Sequence, residues 1–168
     1  MTAKQNNIAL IGMPGCGKST VGVLLARATG RAFVDTDLLV QSRTGTSLQA
    51  LVDREGYEAL REAEEHVLLS LNLSDHVIAT GGSVVYSRAG MAHLCDSSRV
   101  VFLDVSLTCV RERIGDASLR GISRRPDQSL ADLFHERHGL YCRYAEIAIA
   151  CDGLSPEEVC DRVISKLG

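Results

Sequence analysis

Residues Gly12-Met13-Pro14-Gly15-Cys16-Gly17-Lys18-Ser19 match G-x-x-x-x-G-K-[ST], the phosphate-binding loop. Each residue type has a task. Gly12, Gly15 and Gly17 let the backbone turn its N–H groups inward with no Cβ in the way. Those amides, with the N-terminus of a following helix, form a positively polarised cradle for phosphate oxygens. Lys18 is placed to reach β- and γ-phosphates, and the Ser19 hydroxyl to ligate Mg²⁺. The sequence therefore predicts a nucleoside triphosphate site. Asp35-Thr36-Asp37 follows a short apolar run, where a strand of an open parallel sheet would end in the ligand crevice. Asp35 suits holding Mg²⁺ through water, and Asp37 suits orienting or deprotonating an acceptor hydroxyl. Either aspartate equally suits capping the next helix.

These residues need a scaffold. At 168 residues the chain suits one domain with a normal core. Its strands are expected at Asn7–Ile11, Ala32–Asp35, His76–Thr80, Arg99–Asp104 and Glu146–Cys151, several of them near-continuous apolar runs. Helical patterns alternate with them, beginning with Thr20–Ala28 after the loop, so the expected class is α/β, a parallel sheet covered by helices on both faces. Ser47–Leu73 holds about two helices' worth of periodic sequence. Ser155, Pro156 and Glu158 mark the start of the last helix through a capping box with proline at its first position. Gly115–Gln128 is polar and basic with little apolar content, which fits a lid that excludes water and supplies arginines, or a solvated basic loop.

Composition excludes several classes. A net charge of −3 argues against general affinity for nucleic acid or anionic membrane. No apolar run approaches a membrane span, and the polar start is unlike a secretory signal, so a cytoplasmic protein is expected. Cys16, Cys95, Cys109, Cys142, Cys151 and Cys160 form no C-x-x-C pair and read as reduced thiols. Cys16, inside the loop, is expected to set its thiol beside bound phosphate, where it plays no covalent part. His135 and His138 read as solvated helix histidines, with no third metal ligand in view.

Further motifs lie downstream. Leu60-Arg61-Glu62-Ala63-Glu64 puts Arg61 and Glu64 on one helix face, where the carboxylate can hold the guanidinium. Thr80-Gly81-Gly82-Ser83 follows the third strand, and Glu136-Arg137-His138-Gly139-Leu140-Tyr141 lies on the helix after the expected lid. The phosphate loop, D-T-D, L-R-x-x-E, T-G-G and E-R-x-x-L-Y, in this order and spacing, resemble the shikimate kinase family over nearly the whole chain.

The resemblance implies one kinase domain over residues 1–168, a three-layer α/β/α fold like that of the nucleoside-monophosphate kinases. Its five-stranded parallel sheet would have the order 2-3-1-4-5. The phosphate loop would span 12–19, an acceptor-binding region about 36–64 and a lid about 115–128. The implied activity is MgATP-dependent phosphorylation of a hydroxyl on a small cyclic carboxylic acid, shikimate; a monomer is expected separately, because the sequence shows no long apolar surface stripe beyond what the core needs. Carried over by position, Gly15, Cys16, Gly17, Lys18, Ser19 and Thr20 would bind ATP, and Ser19 and Asp35 would hold Mg²⁺. Asp37 would polarise the acceptor hydroxyl, Arg61 and Arg137 would grip its carboxylate, and Gly82 would give a backbone contact. Arg113 is similar in placement to an arginine that stacks on adenine, and Arg120 to a catalytic lid arginine reaching the phosphates.

Departures from the pattern gather on the acceptor side. Arg120 is followed by Gly121-Ile122-Ser123 where the lid pattern has proline and leucines, and the lone Arg-Pro is Arg125-Pro126, which leaves Arg124 and Arg125 as rival lid arginines. Val52 and Leu60 stand where phenylalanines commonly wall the acceptor ring, Ser83 replaces a third glycine, and Gly139 replaces a proline. A second reading therefore keeps the chemistry and changes the acceptor to homoserine or gluconate. A third is a nucleotide-binding regulator without turnover.

Overall fold

The computed structural model describes residues 6–115 and 122–168. Arg120 and Gly121, in the middle of the expected lid, lie outside the described residues. Five strands, β1 (Asn7–Ile11), β2 (Ala32–Asp35), β3 (His76–Ala79), β4 (Ser98–Asp104) and β5 (Ile147–Ala150), make one sheet in the order β2-β3-β1-β4-β5. Every pairing is parallel, with Ala9 opposite Ile78 on one side and Val100 on the other. The sheet and its order are those expected. β1 is buried along its whole length, as its unbroken apolar run requires of a strand covered on both faces. The strand order reverses at β1, which opens a crevice at its carboxyl end.

Among the described residues eight α-helices surround the sheet: α1 (Lys18–Thr29), α2 (Thr36–Thr44), α3 (Leu48–Glu55), α4 (Tyr57–Ser70), α5 (Arg88–Ser97), α6 (Leu107–Ile114), α7 (Leu130–Tyr144) and α8 (Pro156–Leu167). The expected pair within Ser47–Leu73 is α3 and α4, parted at Gly56, which ends one helix and starts the next. The capping box of α8 forms as read, with Ser155 and Glu158 bonding each other's backbone N–H and Pro156 in the first turn. A second box, Ser129 with Asp132, starts α7 and fixes the register of the helix that carries Arg137.

Two apolar cores follow. The larger joins the sheet to α1, α5, α7 and α8 through residues such as Leu10, Leu25, Leu94, Leu103, Tyr141 and Val163. A smaller one, centred on Val40, Leu51, Leu60 and Val67, holds α2, α3 and α4 together as a unit at the carboxyl edge of the sheet. Among the described residues, no helix is long and apolar enough to cross a membrane. Among the described residues no disulfide links any of the six cysteines.

Candidate active site

The phosphate loop turns from β1 into α1. Gly12 has φ +152°, and a Cβ there would meet both the Leu103 carbonyl oxygen and Cys16 Sγ at 2.8 Å, so only glycine lets the loop lie against β4. Gly17 caps α1 in the left-handed region and leaves the first-turn amides of the helix facing outward. The Lys18 ammonium donates to the carbonyls of Gly12 and Met13 at 2.8 and 2.9 Å, a position from which it spans its own loop. Ser19 Oγ donates to Asp35 Oδ2 at 2.7 Å, while Asp35 Oδ1 accepts the backbone N–H of Asp37. Asp35 therefore caps α2 and faces Ser19 at once. A hydroxyl and a carboxylate at this spacing are the hard oxygen donors that Mg²⁺ takes beside substrate phosphates, so the residues fit that ion.

A cavity of about 430 Å³ runs from this loop across the crevice. Its walls include Pro14, Gly15, Lys18, Ser19 and Thr20 on one side and Asp37, Leu48, Leu60, Glu64, Gly82 and Arg137 on the other. Asp37 Oδ1 is buried with no hydrogen-bond partner among the described residues. Burial raises the Asp37 carboxyl above the usual range; Lys18 pulls it back down and Asp35 pushes it up. Beyond it, Glu64 is only 3 % exposed and accepts the Ser83 hydroxyl. Burial pushes its carboxyl up to about 7, against the lowering effect of the Ser83 bond; Asp37 adds to the rise, while Arg137 and Arg61 oppose it.

The far end is cationic. Arg137 is 1 % exposed and donates through Nη2 to the Ser123 carbonyl at 2.6 Å. Arg61 donates through Nε to Ser123 Oγ at 2.9 Å, and that hydroxyl donates to the Tyr57 carbonyl. Arg61 Nη2 and Arg137 Nε are buried with no hydrogen-bond partner among the described residues. Arg137 lines the cavity and Arg61 stands behind it, so the far end holds two guanidinium groups with unused N–H donors, an arrangement suited to a carboxylate. Tyr141, on the turn after Arg137, donates to the Gly82 carbonyl at 2.7 Å and fixes the glycine turn against α7.

Sequence comparison agrees with this geometry. Residues 14–168 match the family model described as shikimate kinase. The chain is 32 % identical over 164 residues to the shikimate kinase of Sulfurihydrogenibium sp. (strain YO3AOP1), covering 97 % of this chain and 98 % of that one. It is 38 % identical over 155 residues to that of Paracidovorax citrulli, covering 89 % and 85 %. The chain belongs to the shikimate kinase family. Among solved structures, shikimate kinase from Acinetobacter baumannii in complex with shikimate superposes with a TM-score of 0.89 at 28 % identity, covering 96 % of this chain and 92 % of that one. The activity is that of a shikimate kinase, an ATP-dependent phosphotransferase acting on a small molecule.

Within this kinase the structure gathers Lys18, Ser19, Asp37, Gly82 and Arg137 around one cavity. Arg61 lies behind Arg137, bonded to the same serine. Arg113, on α6, donates to the Gly15 carbonyl at 3.2 Å, which sets it beside the loop. Arg124 is bonded to the Gln128 carbonyl and Arg125 to Glu136, and neither lines the cavity. Ile122 and Ser123, at the close of the expected lid, are buried against the site instead of solvated.

Three expectations change. The Cys16 thiol is not open to the phosphate side: it is 3 % exposed and packs in the main core, with the Lys18 ammonium 3.6 Å from its sulfur. A Cβ on Gly12 would stand 2.8 Å from this sulfur, so the thiol occupies space that only a glycine leaves. Glu64 does not hold Arg61, because the two side chains diverge from their shared face, one to Ser83 and the other to Ser123. Val52 packs in the smaller core, and Leu48, with Leu60, supplies apolar wall to the cavity. Sequence reasoning missed Leu48, Tyr86 and the part played by Ser123, none of which belongs to a motif.

Proposed function

We propose that the cavity takes MgATP and shikimate side by side, the triphosphate on the loop and the acceptor between Asp37 and the two arginines. The observation that carries this reading is Asp37 Oδ1, a buried, unpartnered carboxylate oxygen in the same cavity as Lys18. A carboxylate raised above its usual range by burial suits accepting a hydroxyl proton as the oxygen attacks. Arg61 and Arg137 grip the acceptor carboxylate and set the ring; Gly82 lies in the wall beside them. Gly15, Cys16, Gly17 and Thr20 cradle phosphate through backbone N–H groups, and Lys18 leaves its carbonyl partners to follow the transferring phosphoryl group. Ser19 and Asp35 would hold Mg²⁺, which when bound offsets the charge on the phosphate oxygens. Arg113 borders the nucleotide, and Arg120 completes the phosphate contacts from the lid. The reading carries with it a cytoplasmic monomer without nucleic-acid or membrane partners.

The test is ATP turnover against shikimate, homoserine and gluconate, with Asp37→Asn as the control. Turnover with shikimate alone, lost by about 10²–10⁴-fold in Asp37→Asn, supports the assignment. Preference for an acyclic acid would replace the acceptor, and an unaffected Asp37→Asn would remove Asp37 from the chemistry.

A further inference from the structure

Tyr86 closes a single 3₁₀ turn, Val84–Tyr86, just after the glycine turn. Its ring lies flat beneath Arg61, whose guanidinium carbon is 3.7 Å from the ring centroid. Tyr57 covers the same guanidinium from 4.9 Å. The guanidinium carbon of Arg137 stands 5.5 Å from the Tyr86 ring as well. One aromatic ring therefore lies within cation–π range of both cations of the acceptor end.

How an arginine is held decides what it can still bind. A carboxylate neighbour holds a guanidinium by its edge and consumes the N–H donors a ligand would need. An aromatic face holds it by its plane and leaves the edge donors free. Glu64, the acidic residue on the same helix face, is engaged by Ser83 and does not take that edge. Arg61 spends Nε on Ser123, and its Nη2 is buried without a partner among the described residues. Its plane is set by two tyrosines, and its Nη2 donor is left unspent.

We propose that Tyr86 is a positioning residue for the acceptor carboxylate. Its ring fixes the plane of Arg61 and abuts Arg137, so that two forks meet one planar anion, and it makes the site select a carboxylate over a neutral carboxamide in the same place. This rests on Arg61 and Arg137 gripping the acceptor carboxylate. The aromatic surface absent from positions 52 and 60 is thereby present one layer further out, behind the cations instead of against the substrate ring.

Steady-state kinetics with shikimate and its carboxamide test this. Tyr86→Leu raises the shikimate KM about tenfold, with kcat and the ATP KM within about twofold, and narrows the preference for carboxylate over carboxamide. Tyr86→Phe, which keeps the ring face, restores wild-type values. Replacing the ring instead by ring-fluorinated phenylalanine keeps the shape but inverts the charge distribution of the face, so it raises the shikimate KM without touching the packing. An equal rise in the ATP KM in Tyr86→Leu, or a fluorinated variant as good as Tyr86→Phe, overturns the proposal. Arg61→Ala separates the two readings: if it leaves the shikimate KM unchanged, the carboxylate grip itself is wrong. If it raises that KM while the Tyr86 variants do not, only the role of Tyr86 falls.

Discussion

Asp37 and Glu64 converge on the Cα of Gly81. A Cβ there would stand 2.7 Å from Asp37 Oδ1 and would overlap Glu64 Oε1 outright. Two carboxyl groups thus share a buried wall of the site, with Arg61 and Arg137 as the cations facing Glu64 and Ser83 as its hydrogen-bond donor. Ionising both is costly, and Glu64 is the one whose carboxyl rises to about 7.

A pH dependence follows from Glu64. Its carboxyl is raised in the fold from an ordinary 4.5, so the folded protein binds more protons than the unfolded chain between about 4.5 and 7. Stability is highest at the acid end of that window and falls as pH rises through it, by on the order of 2–3 kcal/mol. Glu64→Gln, which mimics the neutral carboxyl, flattens this slope. Denaturant melts of both proteins at pH 5 and pH 8 measure it; a parallel pH response in the two would show that Glu64 is not its source.

Lys18→Ala and Asp37→Asn both abolish turnover, for different reasons. The proposed assignment has Lys18 serve the phosphates, so its loss weakens ATP and lowers kcat by about 10²–10³-fold. Asp37→Asn keeps the ATP Kd within about twofold, because the proposed assignment puts Asp37 on the acceptor. Calorimetry with ATP on each variant decides the matter. Equal loss of affinity would end the division of labour.

Arg137→Lys rescues poorly. The guanidinium donates to Ser123 from one nitrogen while another lies 2.8 Å from where a Cβ on Gly82 would be, and a single ammonium cannot span both places. The expected cost is about 2–4 kcal/mol in kcat/KM for shikimate, with ATP binding little changed. Wild-type kinetics in this variant would refute the bidentate grip.

Two glycines respond oppositely to alanine. Gly81→Ala drives a methyl into Glu64 and Asp37, so activity is lost and stability falls by about 1–3 kcal/mol. Gly139 sits within α7, where an added methyl would meet nothing within 4 Å, so Gly139→Ala stabilises by about 0.5–1 kcal/mol. Thermal melts of the pair give both signs. A neutral Gly81→Ala would mean the carboxylates move freely.

Thiol labelling sorts the cysteines by burial. Cys142, exposed on α7, alkylates first in the native protein, and Cys16 reacts only on unfolding, at a rate MgATP does not alter by shielding the thiol directly. Peptide mass spectrometry follows each site. Rapid labelling of native Cys16, blocked by MgATP, would restore its thiol to the phosphate side.

Much of this enzyme is written locally. The phosphate loop is one contiguous stretch whose glycine conformations follow from residue type, and β1 declares its burial by an unbroken apolar run. The capping box of α8 lies within four consecutive residues. Such features need only neighbours along the chain, so composition and spacing determined them. Side-chain partnership is another matter. Arg61 and Glu64 share a helix face, and spacing alone pairs them; the tertiary structure gives Arg61 to Ser123, 62 residues away, and Glu64 to Ser83. The Cys16 thiol lies in the main core beside Gly12, whose missing Cβ leaves it space, and Val52 yielded the cavity wall to Leu48 because the small core of α2–α4 claimed it. Tyr86 became the floor beneath two arginines only when α4 and α7 closed over its turn. Backbone conformation is set by a few adjacent residues, whereas the partner of a buried charge is set by whichever distant surface excludes water from it.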